Sequence, residues 1–361
     1  MNLSIFKNFL YPPNYLRLPF ASIEIGEREI RFVEIVNNGK DFTLTNFGEF
    51  PIEQNIFKEG EILNRAELIK KMLSVKGKLK SNFVKLSIPE EKTYVFSTYV
   101  PQLKDEEIRQ AIEFKIEENV PLKAEEAVFE YKIIKKPKNK RDDLLVGVFV
   151  TSKKVIEEYN DILNESGLIP VSFDVESRAV AESVIPKKEI KTVLIVNIKD
   201  DKTILSVASN KMVWFTSTIA LGNSEIEETL IKSGRITDKN STRFSDYFLN
   251  EKNYDVDTYF SLLNVFSVIK DEVEKISAYW HEQKQKSDLA LPNIEKIILC
   301  GKYYMLPGFV NHINQNLGLD VSLANIWCNA FDLDDFLPDM DFADSLSYSS
   351  VVGLSLIYDE K

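Results

Sequence analysis

Two short segments carry the residue types from which a phosphate and metal site could be built. Residues 22–35 read Ser-Ile-Glu-Ile-Gly-Glu-Arg-Glu-Ile-Arg-Phe-Val-Glu-Ile, and residues 194–208 read Leu-Ile-Val-Asn-Ile-Lys-Asp-Asp-Lys-Thr-Ile-Leu-Ser-Val-Ala. Each reads as strand, tight polar turn, strand. Glu24 and Asn197 interrupt their apolar strands just before the turn, where each would face a cleft if the two strands opened the two halves of one duplicated molecule. A nucleotide cleft of that kind needs a carboxylate that holds a cation through water, and a glycine turn whose backbone approaches phosphate closely. The first turn offers Glu24 and Gly26, whereas the second offers Asn197 and Lys199. A third piece, residues 297–308, is a strand running into a turn and a helix, where a nucleoside could lie against backbone; its Gly301 is followed by bulky Lys302, Tyr303 and Tyr304. Two unrelated hairpins account for the first two segments equally well.

The elements that would position these residues follow from periodicity. Strands are expected over 21–35, 42–50 and 83–87, with a helix over 65–75. Asp105, Glu106 and Glu107 stand in the first turn of a helix striped by Leu103, Ile108, Ala111, Ile112 and Ile116, which stops near Asn119 before Val120-Pro121. A strand over 128–134, a basic loop, an apolar strand over 144–150 and a helix over 153–166 ended by Gly167 follow. The next expected elements are a strand over 171–175 and a helix over 178–184. A second set of strands covers 192–198, 202–208 and 212–220, and Gly222-Asn223 leads into a helix from 224. The longest periodic stretch, 250–286, repeats Tyr259, Leu263, Phe266, Ile269, Val273, Ile276 and Trp280, a stripe that reads as core. A strand over 294–299, a helix over 309–317, an acidic loop or short helix over 332–344 and a final helix over 347–357 with a small-residue face complete the chain.

Length and composition suit this organisation. The 361 residues fit two lobes better than one core. Apolar content of 44% and charged content of 28% are those of a soluble globular protein, and no run reaches the roughly 18 apolar residues of a spanning helix. The start lacks the pattern of a secretory signal, because Asn8, Pro12, Pro13 and Asn14 break it up, so export is not expected. A net charge of −11 argues against nucleic acid as a partner. The one dense basic run, Lys135, Lys136, Lys138, Lys140 and Arg141, reads as a solvated hairpin loop, with an anionic surface or acidic partner as the alternative. Cys300 and Cys328 have no metal-ligand spacing with His281 or His312 and read as inert thiols.

Order and spacing of the three cleft pieces resemble those of the actin-like ATPases. Within them the chain is similar to the PilM branch of type IV pilus assembly proteins, relatives of FtsA. The most specific likeness is residues 100–121, Val-Pro-Gln-Leu-Lys-Asp-Glu-Glu-Ile-Arg-Gln-Ala-Ile-Glu-Phe-Lys-Ile-Glu-Glu-Asn-Val-Pro, followed by Glu130-Tyr131, the 144–150 strand, Gly167-Leu-Ile-Pro and Phe173-Asp-Val-Glu. It extends over about 21–357, including Leu306-Pro-Gly-Phe and Leu323-Ala-Asn. The resemblance implies an α/β chain with a two-lobed actin-like ATPase fold. Residues 1–20 would form an irregular lead-in, 21–90 plus 168–190 the first lobe, 91–167 a small inserted α/β module, and 191–361 the second lobe with a helical part at about 224–286.

Carried over residue by residue, the family's first phosphate loop falls on Glu24 and Gly26, its second on Asn197 and Lys199, and its nucleoside-facing glycines on Gly301 and Lys302. Asp174 and Glu176 lie nearest the water-positioning place. The implied ligand is ATP or ADP with Mg2+, held as a structural ligand or absent because the second loop is degenerate. Asn197 carries no charge for a cation, so efficient hydrolysis is not expected; Lys199 or Lys302 could instead supply charge to phosphate. The implied function is that of a cytoplasmic adaptor, peripheral to the inner membrane, that binds the cytoplasmic N-terminal tail of a bitopic pilus assembly protein. Leu103, Ile108, Ile112 and Ile116 would line the groove for that tail, with Glu113, Glu117 and Glu118 at its rim, although a solvated helix face explains these three acids equally well. The alternative is a slow ATPase or a self-associating, FtsA-like polymer.

Overall fold

The computed structural model describes residues 18–37, 42–53, 55–58, 60–135, 143–209, 212–232, 256–286, 292–301, 308–315 and 317–357. Lys302, most of the basic run and the lead-in before residue 18 lie outside the described residues. Near the start, β1 (Ala21–Ile25), β2 (Glu29–Asn37) and β3 (Phe42–Pro51) form an antiparallel meander. A short pair, β4 (Phe57–Lys58) with β5 (Glu61–Ile62), precedes α1 (Arg65–Lys76) and β6 (Phe83–Ile88). Next come β7 (Thr93–Val100), α2 (Asp105–Asn119), β8 (Ala127–Lys135), β9 (Leu144–Ser152), α3 (Lys153–Glu165), β10 (Ile169–Val175) and α4 (Glu176–Val184). The remainder holds β11 (Thr192–Ile198), β12 (Thr203–Ser209), β13 (Met212–Ile219), α5 (Asn223–Lys232), α6 (Val256–Lys286), β14 (Ile294–Cys300), α7 (Phe309–Asn314), β15 (Asp320–Leu323), α8 (Phe342–Ser345) and α9 (Ser349–Leu356).

The duplication is explicit in the sheets. One runs β10-β6-β1-β2-β3 and the other β15-β14-β11-β12-β13, with the same sense of pairing at every step: β1 and β11 pair antiparallel to the next strand in sequence and parallel to β6 and β14. The turns match as well. Gly26 N–H donates to the Glu29 carbonyl at 3.0 Å, and Lys199 N–H donates to the Lys202 carbonyl at 2.8 Å, so each hairpin closes over two residues and Lys199 stands where the first copy has Gly26.

A third sheet, β7-β9-β8, carries α2 on one face. Ile108, Ile112 and Ile116 are 2%, 0% and 0% exposed and pack against Val146, Val148 and Phe129 of that sheet, while Leu103 is 43% exposed. The stripe expected to line a partner groove is therefore the module's own core, and only Leu103 of the four faces outward. Helix α3, grouped with the insert by chain order, buries Tyr159, Ile162 and Leu163 in the core under the first sheet. In α6 it is Leu262, not Leu263, that joins Phe266, Ile269, Val273, Ile276 and Trp280 on the buried side.

Helices α4 and α9 cross in close contact, and small residues permit the approach. A Cβ on Gly353 would lie 1.6 Å from the Ala179 carbonyl oxygen. Ser355 bonds to Ser22 of β1 at 2.8 Å and Ser350 to Ser87 of β6 at 3.1 Å, which satisfies buried hydroxyls where larger side chains would separate the helix from the sheet. Gly353→Ala should therefore destabilise the fold by about 3 kcal/mol, since neither backbone can withdraw without opening this packing. Chemical denaturation of the variant beside wild type measures the loss, and an unchanged midpoint would contradict the contact.

Candidate functional site: the cleft between the two sheets

The two duplicated hairpins meet across a cleft, and three of the four charged residues in the second hairpin's turn pair across it. Lys199 comes first. Its Nζ donates to Glu24 of β1 and, at 2.5 Å, to Glu176, the first residue of α4. Lys199, Glu24 and Glu176 are only 9%, 4% and 1% exposed. The other end of the turn repeats the device, because Lys202 Nζ donates to Glu91, just beyond β6, at 2.6 Å. Between them, Asp200 accepts from Arg31 of β2 at 3.3 Å, and Arg31 is itself buried against Glu29, with Glu49 at 3.7 Å.

The turn is held from behind by the entry to α5. Gly222 approaches so closely that a Cβ there would stand 2.6 Å from the Lys199 carbonyl oxygen and 2.6 Å from the Lys202 nitrogen. Asn223 N–H donates to the Lys199 carbonyl at 2.7 Å, Ser224 N–H to the Asp200 carbonyl at 2.9 Å, and the Asn223 amide to the Asp200 carboxylate at 3.1 Å. These bonds fix the turn before any side chain crosses the cleft. Glu90 adds a further tie: its carboxylate accepts from Ser177 N–H at 3.0 Å, at the start of α4.

Burial and charge act in opposition here. For Lys199, burial disfavours the ammonium, but Glu176 and Glu24 outweigh it and hold the group above the usual lysine range. Glu176 is pushed up to about 7 by burial, with Glu24 adding to the push and Lys199 opposing it. The sense is that of two carboxylates sharing one cation: the ammonium stays charged, and one acid is left short of compensation. Burial also pushes up Asp174, against the pull of Arg178, whose guanidinium it meets at 3.0 Å. For Glu91 the Lys202 ammonium outweighs burial and holds the carboxyl below its ordinary range.

The site residues expected from sequence thus divide. Glu24, Lys199 and Glu176 come together at one point. Asn197 lines a small polar cavity beside them with Glu24, Arg31, Asn223, Ser349 and Ser350. Gly26 borders the outer part of the cleft. Gly301, at φ +119°, is packed so that a Cβ would lie 2.4 Å from the Ile198 carbonyl oxygen, which accounts for glycine through its own chain's backbone. Asp174 is bonded to Arg178 and takes no part in the Lys199 cluster. Arg31, Glu91, Asp200 and Lys202 join the site without a role expected from sequence, and Gly222 and Asn223, expected only as the lead into a helix, hold the turn; the charged Lys-Asp-Asp-Lys turn and the Gly-Asn pair are their visible signals.

A metal-bound nucleotide fits this arrangement poorly. The carboxylate of Glu24 is engaged by an ammonium, Asn197 supplies no charge, and the second turn carries a long side chain where close backbone approach to phosphate is required. Among the described residues, no group of three or more His, Cys, Asp and Glu side chains is placed to hold a metal ion.

Glu176 binds more protons in the folded chain than in the unfolded one between its ordinary value of 4.5 and about 7, so its contribution to stability falls as pH rises through that window. Wild type should lose stability relative to Glu176→Gln as pH rises from 4.5 to 7.5. Denaturant melts of both proteins across that range check this, and a constant difference would refute it.

The family model described as "Type IV pilus assembly protein PilM" matches residues 22–356. Among curated proteins none matches the sequence. The fold is similar to that of a solved PilM-PilN type IV pilus biogenesis complex, with a TM-score of 0.72 at 17% identity, over 94% of this chain and 98% of that one. It is also similar to MreB5 of Spiroplasma citri bound to AMPPNP, with a TM-score of 0.51 at 12% identity, over 94% and 95% of the two chains. These likenesses establish the actin-like ATPase fold, and the match over nearly the whole length establishes that the chain belongs to the PilM family of type IV pilus assembly proteins.

Proposed function

We propose that this protein works as a cytoplasmic adaptor of the inner-membrane pilus assembly platform, capturing the cytoplasmic N-terminal tail of a bitopic membrane partner. The observation that carries this reading is the outer edge of the first sheet. β10 is the terminal strand of the order β10-β6-β1-β2-β3, so among the described residues one side of its backbone has no strand neighbour, and Ile169 and Val171 stand 48% and 42% exposed along it. An extended peptide pairs with such an edge and places alternate side chains against it. The register shift between Pro170 and Ser172 bulges the strand at Val171 and turns that side chain outward.

Facing this edge is the three-stranded module. Exposed Glu130 of β8 lies near enough to add to the upward push on Asp174, and Arg178 stands 6.0 Å from the ring of Phe149 in β9. Glu130 thus brings an exposed acidic group near an edge that carries the exposed apolar side chains Ile169 and Val171, which suits a tail of mixed apolar and basic residues. Support also comes from the related structure, in which a PilM is solved together with PilN. Among the described residues no helix is long and apolar enough to cross a membrane, in keeping with attachment through a partner.

Synthetic peptides spanning the cytoplasmic tails encoded by neighbouring genes, titrated by calorimetry, test the proposal. Glu130→Lys and Val171→Asp should each weaken tail binding by about tenfold, roughly 1.4 kcal/mol, without lowering the melting temperature. Unchanged binding in both variants would move the groove elsewhere, and nucleotide-dependent filaments by light scattering with no tail binding would favour the polymer reading. The adaptor reading also separates function from turnover. Purified protein with Mg2+ and ATP should hydrolyse far more slowly than the roughly 1 per second of an ordinary enzyme. A rate of that order, lost in Glu24→Ala, would restore the enzyme.

A further inference from the structure

The geometry points to Lys199 as a resident cation: its ammonium replaces a metal-bound nucleotide as the bridge between the two halves, and the Glu24 and Glu176 carboxylates beneath it form a latent divalent-cation site. This inference is independent of where the tail docks. It starts from position. Lys199 occupies, in the second hairpin, the place of Gly26 in the first, with the same two-residue turn and the same closing hydrogen bond. A side chain of four methylenes at that place reaches back across the cleft, and its Nζ ends between two buried carboxylates that belong to different elements of the first half, β1 and the start of α4.

Two buried carboxylates converging on one point need a positive charge. A small hard divalent ion would satisfy them with oxygen ligands and retained water, as Mg2+ does with one or two carboxylates. Here the ammonium satisfies them instead and is covalently attached to the opposite half, so the bridge is always present. Lys202 to Glu91 and Arg31 to Asp200 reinforce it from either side of the same turn. The alternative role for Lys199, as a ligand to phosphate, requires Nζ to leave both carboxylates buried and unpaired, which is strongly unfavourable. The cleft therefore stays closed with no ligand, and nucleotide gains nothing by entering it.

Removing the side chain converts the lock into a metal site, and this is the basis of the test. Thermal melts and calorimetric titrations of the full chain are run with MgCl2 alone and with Mg2+ plus ATP, on wild type, Lys199→Ala, Lys199→Gln and Lys199→Arg. Wild type and Lys199→Arg, which keep a cation between the carboxylates, should show no shift with either addition. Lys199→Ala or Lys199→Gln should melt lower than wild type and recover several degrees in millimolar Mg2+, including the case in which the variant folds only when Mg2+ is present. Two results would overturn the inference: a wild-type melting temperature that rises by several degrees with Mg2+ and ATP, or a failure of both neutral variants to gain anything from Mg2+.

Discussion

Four ion pairs from three residues of one four-residue turn join the two halves of this molecule, and most of the arrangement around the cleft can be traced to them. Lys199, Asp200 and Lys202 each cross to a different element of the first half: β1 with α4, β2, and the segment after β6. Buried pairs of this kind contribute little by themselves, because desolvation offsets their attraction. Losing one partner, however, leaves an uncompensated charge, at about 3–5 kcal/mol. Their role is thus to fix geometry. The turn must be held at one depth and one angle, which Gly222 and Asn223 do from behind, and the acceptors must come from elements rigidly seated on the first sheet, which the packing of α9 against α4 secures.

A cleft held shut by its own side chains changes what the fold can be used for. The actin-like architecture is present in both duplicated sheets, and Glu24, Glu176 and Lys199 meet as buried side chains in the cleft between them. The inserted three-stranded module adds surface that the duplicated halves alone do not have, and the proposed docking uses it together with the β10 edge of the first sheet. On the proposed reading rigidity is useful, because a peptide loses less free energy docking on fixed elements than on ones that must first be organised.

Much of the fold was legible in the sequence because its signals are local. The paired hairpins, Glu24 and Asn197 within apolar strands, and the glycines at turns all depend on neighbours a few residues away, and each stands where it was expected. The α2 stripe shows the limit of that kind of reading. Ile108, Ile112 and Ile116 mark a buried helix face, but periodicity does not say whether its cover is the module's own sheet or a partner, and here it is the sheet. The lock itself was less visible. Lys199 stood out as a departure from glycine, while the meeting of residues 24, 176 and 199 depends on how the two sheets are oriented, which no local pattern encodes. Gly222 and Gly353 were invisible as constraints for the same reason, since the atoms that exclude a side chain there belong to chain segments some twenty and about 170 residues away.

The most direct measurement is a crystal structure of the wild-type protein grown in millimolar Mg2+ and ATP. The account predicts the Lys199 ammonium between the carboxylates of Glu24 and Glu176, with no metal ion on Glu24 and no phosphate between the two hairpin turns. A Mg2+ ion coordinated through Glu24, with the Lys199 ammonium turned onto a nucleotide phosphate, would contradict it.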